Sequence, residues 1–193
     1  MSTVEQPVFP NEDDAHEYLQ QWISSWFRLE REVHLRHVET GNRLRVDFLA
    51  TPEPWISGEF PFDLFGIEVK ANTQGIGNFN KALKQAIDYT SCEIIDKRPR
   101  LAPVFGCRLT RAYVFPAPSE AAPSGIIQYS INWHGGSERL AGLFRVGLIY
   151  RHWNGDPEFR MSAERQWSTH LGGRSTPIHT RTRLGSGVIK RLS

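Results

Sequence analysis

Cysteine is scarce in this chain: Cys92 and Cys107 are the only two in 193 residues. They form neither a Cys-x-x-Cys pair nor a disulfide framework, which excludes a cysteine-built zinc site and a scaffold that depends on disulfides. Long apolar runs are missing too, and no stretch approaches the roughly eighteen residues of a membrane span. The opening residues Met1-Ser2-Thr3-Val4-Glu5-Gln6 show no basic start and no apolar stretch. We therefore expect a cytoplasmic protein with free thiols and no membrane partner. Net charge is small, and the formal +2 excludes a chain that is basic throughout. His34, His37, His152, His170 and His179 lack the paired spacing of a zinc site. Gly75-Ile76-Gly77 has neither the lysine nor the spacing of a P-loop. No local motif suggests a Ser/His/Asp triad, and His134 in Asn132-Trp133-His134-Gly135-Gly136 reads as an ordinary turn histidine.

What is present looks ordinary at first, with 39% apolar and 23% charged residues, the balance of a soluble globular chain. Two carboxylates stand out against it. Asp47 lies in Leu44-Arg45-Val46-Asp47-Phe48-Leu49-Ala50, and Glu68 lies twenty-one residues later in Leu64-Phe65-Gly66-Ile67-Glu68-Val69-Lys70. Both runs read as buried strands, and a carboxylate in such a setting is costly unless a cation or strong donors meet it. Side chains alternate along a strand, so Glu68 and Lys70 share a face, about 6.6 Å apart, while Ile67 and Val69 face the other way. On the earlier strand Leu44, Val46 and Phe48 are expected on one face and Asp47 on the opposite one. If the strands pair, Asp47 and Glu68 converge at one end of a sheet beside the Lys70 ammonium. Oxygen ligands of this kind suit Mg²⁺ or Mn²⁺, which leave room for phosphate oxygens and water. The competing explanation is a buried ion network with Lys70 and Arg45, an arrangement that contributes little to stability.

Asp47 followed by Glu68-Val69-Lys70 resembles the core motif of the PD-(D/E)XK, or restriction-endonuclease-like, nucleases. Val46 stands where the name-giving proline would be. Gln85-Ala86-Ile87-Asp88-Tyr89 is similar to the Q-x-x-x-Y helix motif of the RecB-like branch, and Gln85 and Tyr89, four apart, lie on one helix face. Upstream, a helix leads into Glu30-Arg31-Glu32-Val33, where many members place a further acid. The likeness runs from about Asp13 to Thr90. It implies an α/β fold with a restriction-endonuclease-like core, that is, a mixed central sheet flanked by helices. It also implies a Mg²⁺- or Mn²⁺-dependent nuclease acting on nucleic acid, most simply DNA, with a homodimer one arrangement for cutting both strands. Asp47 and Glu68 would then be metal ligands, with the Val69 carbonyl as a third. Lys70 would orient or help deprotonate the attacking water. Gln85 and Tyr89 would position the nucleophile, the metal shell or the substrate. Glu32 is favoured as the extra acid over Glu30 and Glu17.

The remaining elements follow from caps and periodicity. Asn11 caps a helix with an acidic first turn that runs to about Phe27. A strand over Val33–Val38 turns at Thr40-Gly41-Asn42, and Thr51 to Asp63 is a loop rich in Pro. A helix is expected from about Phe79 to Ile94, a strand over Thr110–Phe115 and a loop over Pro116–Gly125. A short helix capped by Ser137 runs through Phe144, ahead of strands over Val146–Tyr150 and Phe159–Met161, a β-rich elaboration. The nuclease-like domain would span 1–165. Residues 166–193 would be a largely irregular basic tail, whose Arg174, Arg181, Arg183, Lys190 and Arg191 suit phosphate contact. Two other classes stay open. One is a non-catalytic nucleic-acid-binding protein that retains the fold. The other is a protein-interaction module presenting Trp22, Trp26, Trp55, Trp133, Trp153 and Trp167.

Overall fold

The short apolar runs of the sequence assemble into one mixed β-sheet with a helix on each face. The computed structural model describes residues 7–57, 60, 63–73, 76–117, 142–151, 155–161, 165–168 and 176–177. Helix α1 (Glu12–Ile23) starts where expected: the Asn11 side chain accepts a hydrogen bond from the Asp14 amide at 2.8 Å, and Glu12, Asp13 and Asp14 fill the positive first turn. Its buried residues Ala15, His16, Leu19 and Ile23 recur at helical spacing and face the sheet. The helix stops before the expected Phe27, which instead opens β1 (Phe27–His37) opposite Pro52. Its ring is buried with Phe60, Phe65 and Phe159, and that burial outweighs helix continuation.

Strand β1 pairs antiparallel with β2 (Arg43–Pro52) through a hairpin in which Gly41 takes φ +72°. Strand β3 (Phe65–Val69) pairs antiparallel with β2. Helix α2 (Ile76–Tyr89) follows, shorter than the expected span to Ile94. The Thr90 amide and hydroxyl both bond the Ile87 carbonyl, closing the helix. Cys92–Ile94 then forms β4 on the outer edge of β1, with Cys92 and Ile94 buried on alternate positions. A 3₁₀ turn (Pro99–Val104) leads to β5 (Arg108–Leu109), paired with β4. Strand β6 (Ala112–Phe115) runs parallel to β3, and β7 (Val146–Arg151) parallel to β6. Every residue of β3 and β6 is buried, as expected of strands covered on both faces. Strands β8 (Pro157–Met161), β9 (Arg165–Ser168) and β10 (Thr176–Pro177) extend the sheet antiparallel past residue 165, where the tail was expected to begin. The order among the described residues is β10-β9-β8-β7-β6-β3-β2-β1-β4-β5.

Two cores result, one per face. Helix α1 covers Phe48, Ala50, Phe65, Ile67, Tyr113 and Phe115. Helix α2 covers Val33, Leu35, Val46, Leu49, Leu109 and Val114. Those memberships correct the expected alternation on β2, because Val46 lies in the α2-side core and Phe48 in the α1-side core. The same reversal occurs on β1, between Phe27 on one side and Val33 and Leu35 on the other. Glu32 stands at the change with φ +51°. A left-handed residue inside a strand turns the following side chains over, and the ladder passes directly from Arg31↔Phe48 to Val33↔Val46. Glu32 and Asp47 are thus the opposed, unbridged pair at the kink.

Trp22 donates to the Gly155 carbonyl at 2.8 Å and, with Trp26, packs against the α1-side core, whereas Trp55 is exposed. The ring positions of Trp133, Trp153 and Trp167 lie outside the described side chains, as do most of the helix expected at 137–144 and all five basic residues assigned to the tail. Cys92 is a buried and Cys107 an exposed free thiol. Among the described residues no helix is long and apolar enough to cross a membrane.

Candidate active site

Between β2 and β3 the ladder ends at Phe48↔Ile67, and the next opposed pair in register is Asp47 and Glu68. In place of a backbone bond, Asp47 Oδ2 accepts the Val69 amide at 2.7 Å. The strands part there, and polar side chains from α1, β2, β3 and α2 fill the end of the sheet.

Glu68 is 1% exposed and lies on the α2 side, since Ile67 and Val69 belong to the opposite core. Its Oε1 is 2.6 Å from Lys70 Nζ, which confirms that the two share a face. At that distance the Lys70 ammonium is the partner of this buried oxygen. Its Oε2 is 2.6 Å from Tyr89 Oη, which is also 3.0 Å from the Arg45 carbonyl. One hydroxyl proton cannot serve both acceptors. With Glu68 ionised, Tyr89 donates to it; with Glu68 protonated, Glu68 donates to Tyr89, which donates on to Arg45. Burial, then repulsion from Asp47, pushes the Glu68 carboxyl up to about 7, against the lowering pull of Lys70 and Tyr89. Burial, then the charge of Glu68, raises the Tyr89 hydroxyl well above the usual range. Lys70 is held above its usual value despite burial, because Glu68 and then Glu12 favour its charged form.

Two residues of α1 join this cluster that sequence reasoning passed over. Glu12 Oε1 lies 3.3 Å from Lys70 Nζ. His16, one turn later and nearly buried, places Nε2 3.7 Å from Asp47 Oδ2. Arg31 Nη2 lies 3.4 Å from His16 Nδ1; guanidinium only donates, so Nδ1 accepts and the ring proton sits on Nε2, facing Asp47. That Nε2 has no hydrogen-bond partner. The signal was available: Glu12 and His16 extend the buried stripe of Leu19 and Ile23 towards the helix N-terminus.

The other expected residues are placed as follows. Tyr89 is buried at the site, and Gln85, one turn earlier on α2, is exposed. Glu32 opposes Asp47 in register, but its carboxylate is half exposed and pairs with Arg45 Nη1 at 3.3 Å. Glu30 lies near Arg100 at 4.0 Å, and Glu17 is exposed on α1. Arg45 therefore neutralises Glu32, not the buried pair.

Among the described residues no group of three or more His, Cys, Asp or Glu side chains is arranged to hold a metal ion. Mg²⁺ and Mn²⁺ do not require one, because they bind through one or two carboxylates and fill the shell with substrate oxygens and water. Asp47 and Glu68 are two carboxylates at the ends of neighbouring strands, held in this structure by the Val69 amide, Lys70 and Tyr89. No protein family, curated protein or solved structure matches the chain.

Proposed function

We propose that the chain is a Mg²⁺- or Mn²⁺-dependent nuclease of restriction-endonuclease-like fold that hydrolyses phosphodiester bonds of DNA. One observation carries the reading: residues named by a single sequence pattern meet at one sheet end, Lys70 and Tyr89 each 2.6 Å from Glu68, with Asp47 on the neighbouring amide at 2.7 Å. Asp47, Glu68 and the Val69 carbonyl would hold the ion. When bound, it supplies charge neutralisation at the phosphate and an activated water. Tyr89 favours the ionised form of Glu68 that ligation needs. Lys70, anchored between Glu68 and Glu12, presents a fixed ammonium that orients the water and offsets developing negative charge. Gln85, exposed one turn from Tyr89, would meet substrate, and Glu32, opposed to Asp47 and paired with Arg45, would be the additional acid.

A second reading, a nucleic-acid-binding protein without catalysis, is favoured by the partners that the two carboxylates already have, the Val69 amide on Asp47 and Lys70 with Tyr89 on Glu68. Incubating supercoiled, linear and single-stranded DNA with Mn²⁺ or with chelator separates the two. The nuclease reading expects Mn²⁺-dependent cleavage that Glu68→Ala abolishes while the fold persists. Metal-indifferent binding without cleavage would leave only the second reading.

A further inference from the structure

The face of β1, β2, β4 and β5 turned away from α2 is open, and its side chains form ordered rows. Arg43 opposes Arg36, Arg36 opposes Glu93, and Glu93 opposes Arg108, so one row crosses four strands. Two residues nearer the site, His34 opposes Arg45, and two further on, Glu32 opposes Asp47 in the same register. Steps of two residues place these rows about 6.8 Å apart. Their common face is set by the neighbours: Leu35, Leu44, Cys92, Ile94 and Leu109 all belong to the α2-side core. Helix α1 covers the same face only as far as the His16–Arg31 contact. Beyond it, Arg36 and Arg45 are 55% and 58% exposed.

Like charges directly opposite one another destabilise a sheet, and Arg36 faces Arg43. Glu93 neutralises one guanidinium, bonding both Nε and Nη2 of Arg36. Arg43 and Arg108 are exposed and have no carboxylate partner among the described residues. Arg43 and Arg45, two residues apart on β2 ahead of Asp47, with Arg36 and Arg108 beside them across the sheet, present guanidinium forks suited to phosphates of one strand. We propose that this face carries the phosphate backbone of DNA to the Asp47/Glu68 site. The inference rests on the nuclease reading and assigns it a substrate path distinct from the basic tail.

The test is fluorescence anisotropy with labelled duplex DNA in EDTA, across a salt series, for wild type, Arg43→Ala/Arg108→Ala and a Lys81→Ala/Lys84→Ala control that removes equal charge from α2. The first double variant should bind at least fivefold more weakly at low salt. The slope of log affinity against log salt should fall by about 1.8, at about 0.9 per lost phosphate contact. The control should keep the wild-type slope, and both should melt like wild type, since the changed side chains are exposed. If wild type binds and cuts DNA while Arg43→Ala/Arg108→Ala keeps wild-type affinity and slope, this surface is refuted and the nuclease reading stands. If wild type neither binds DNA nor cuts it with Mn²⁺, both fall. Tighter binding of an RNA duplex of the same sequence overturns the assignment to DNA.

Discussion

Arg98 Nη2 donates to the carbonyl of Arg31 at 2.8 Å, which ties the loop after β4 to the kink of β1. The same nitrogen lies 3.3 Å from the Glu32 carbonyl. Asp96, nearly buried, grips Arg98 through Nε at 3.1 Å and Nη2 at 2.9 Å. Against the cost of burial, those bonds hold the Asp96 carboxyl below its usual range. The clamp thus holds the backbone on both sides of the left-handed Glu32, the residue opposed to Asp47 across the β1–β2 ladder. Arg98→Ala should destabilise the protein by about 1–3 kcal/mol, because it leaves a buried carboxylate without its main donor. It should also reduce cleavage more than the stability loss explains. Thermal melts combined with single-turnover kinetics at a temperature where the variant is fully folded check this.

Glu32 itself offers a cleaner backbone test. Glycine adopts φ +51° without the penalty of roughly 1–2 kcal/mol that a side chain incurs. Glu32→Gly should therefore melt higher than Glu32→Ala, although both lose the exposed Arg45 pair, worth little by itself. Equal melting temperatures for the two variants would show that the residue is not strained.

The pH dependence of stability in chelator should follow Glu68. Its folded pKa, about 7, lies above the ordinary 4.5, so the folded state holds the proton more tightly. The contribution is complete below about 4.5 and is lost as pH rises through about 7. Wild type should lose stability over that window, and Glu68→Gln, which cannot ionise, should lose less. A divalent ion that binds the ionised carboxylates should restore more stability at pH 8 than at pH 5. Parallel pH profiles for wild type and Glu68→Gln would refute the shift.

Tyr89→Phe removes the hydroxyl that lies 2.6 Å from Glu68 and 3.0 Å from the Arg45 carbonyl. Stability should fall by about 1–3 kcal/mol, as for any buried acceptor left without its donor. Cleavage should require higher pH, since the ionised form of Glu68 loses its support. A pH–rate profile displaced upward, with the maximal rate largely kept, is the expected signature.

Lys70→Met keeps the apolar stem and deletes the ammonium between Glu68 and Glu12. We expect a loss of 10²–10⁴-fold in single-turnover rate, the range for a positioned proton-transfer group, with DNA affinity in EDTA nearly unchanged. Retained activity would remove Lys70 from the catalytic set.

Much of this arrangement is readable residue by residue. The strand period alone puts Glu68 and Lys70 on one face, and Asn11 with three acids announces the start of α1. The span of β1 is harder to read. Its alternation reverses at Glu32, so Phe27 and Leu35 seem to belong to different elements when a single period is sought. The end of α2 is also obscured, because Cys92 and Ile94 continue a helical stripe as well as they begin a strand. His16 looks like any residue on an amphipathic helix until Asp47 is brought beneath it.

Composition and local spacing by themselves determined the helix start, the apolar strands and the acids that burial would make costly, because all of these depend on neighbours within a few residues. Tertiary structure alone decided that Asp47 would take the Val69 amide and lie beside His16, that Arg98 would bond the backbone at the kink, and that arginines from three strands would share one row. Each of those depends on which strands lie side by side and in what register, and that was chosen by burying two separate aromatic and aliphatic cores at once.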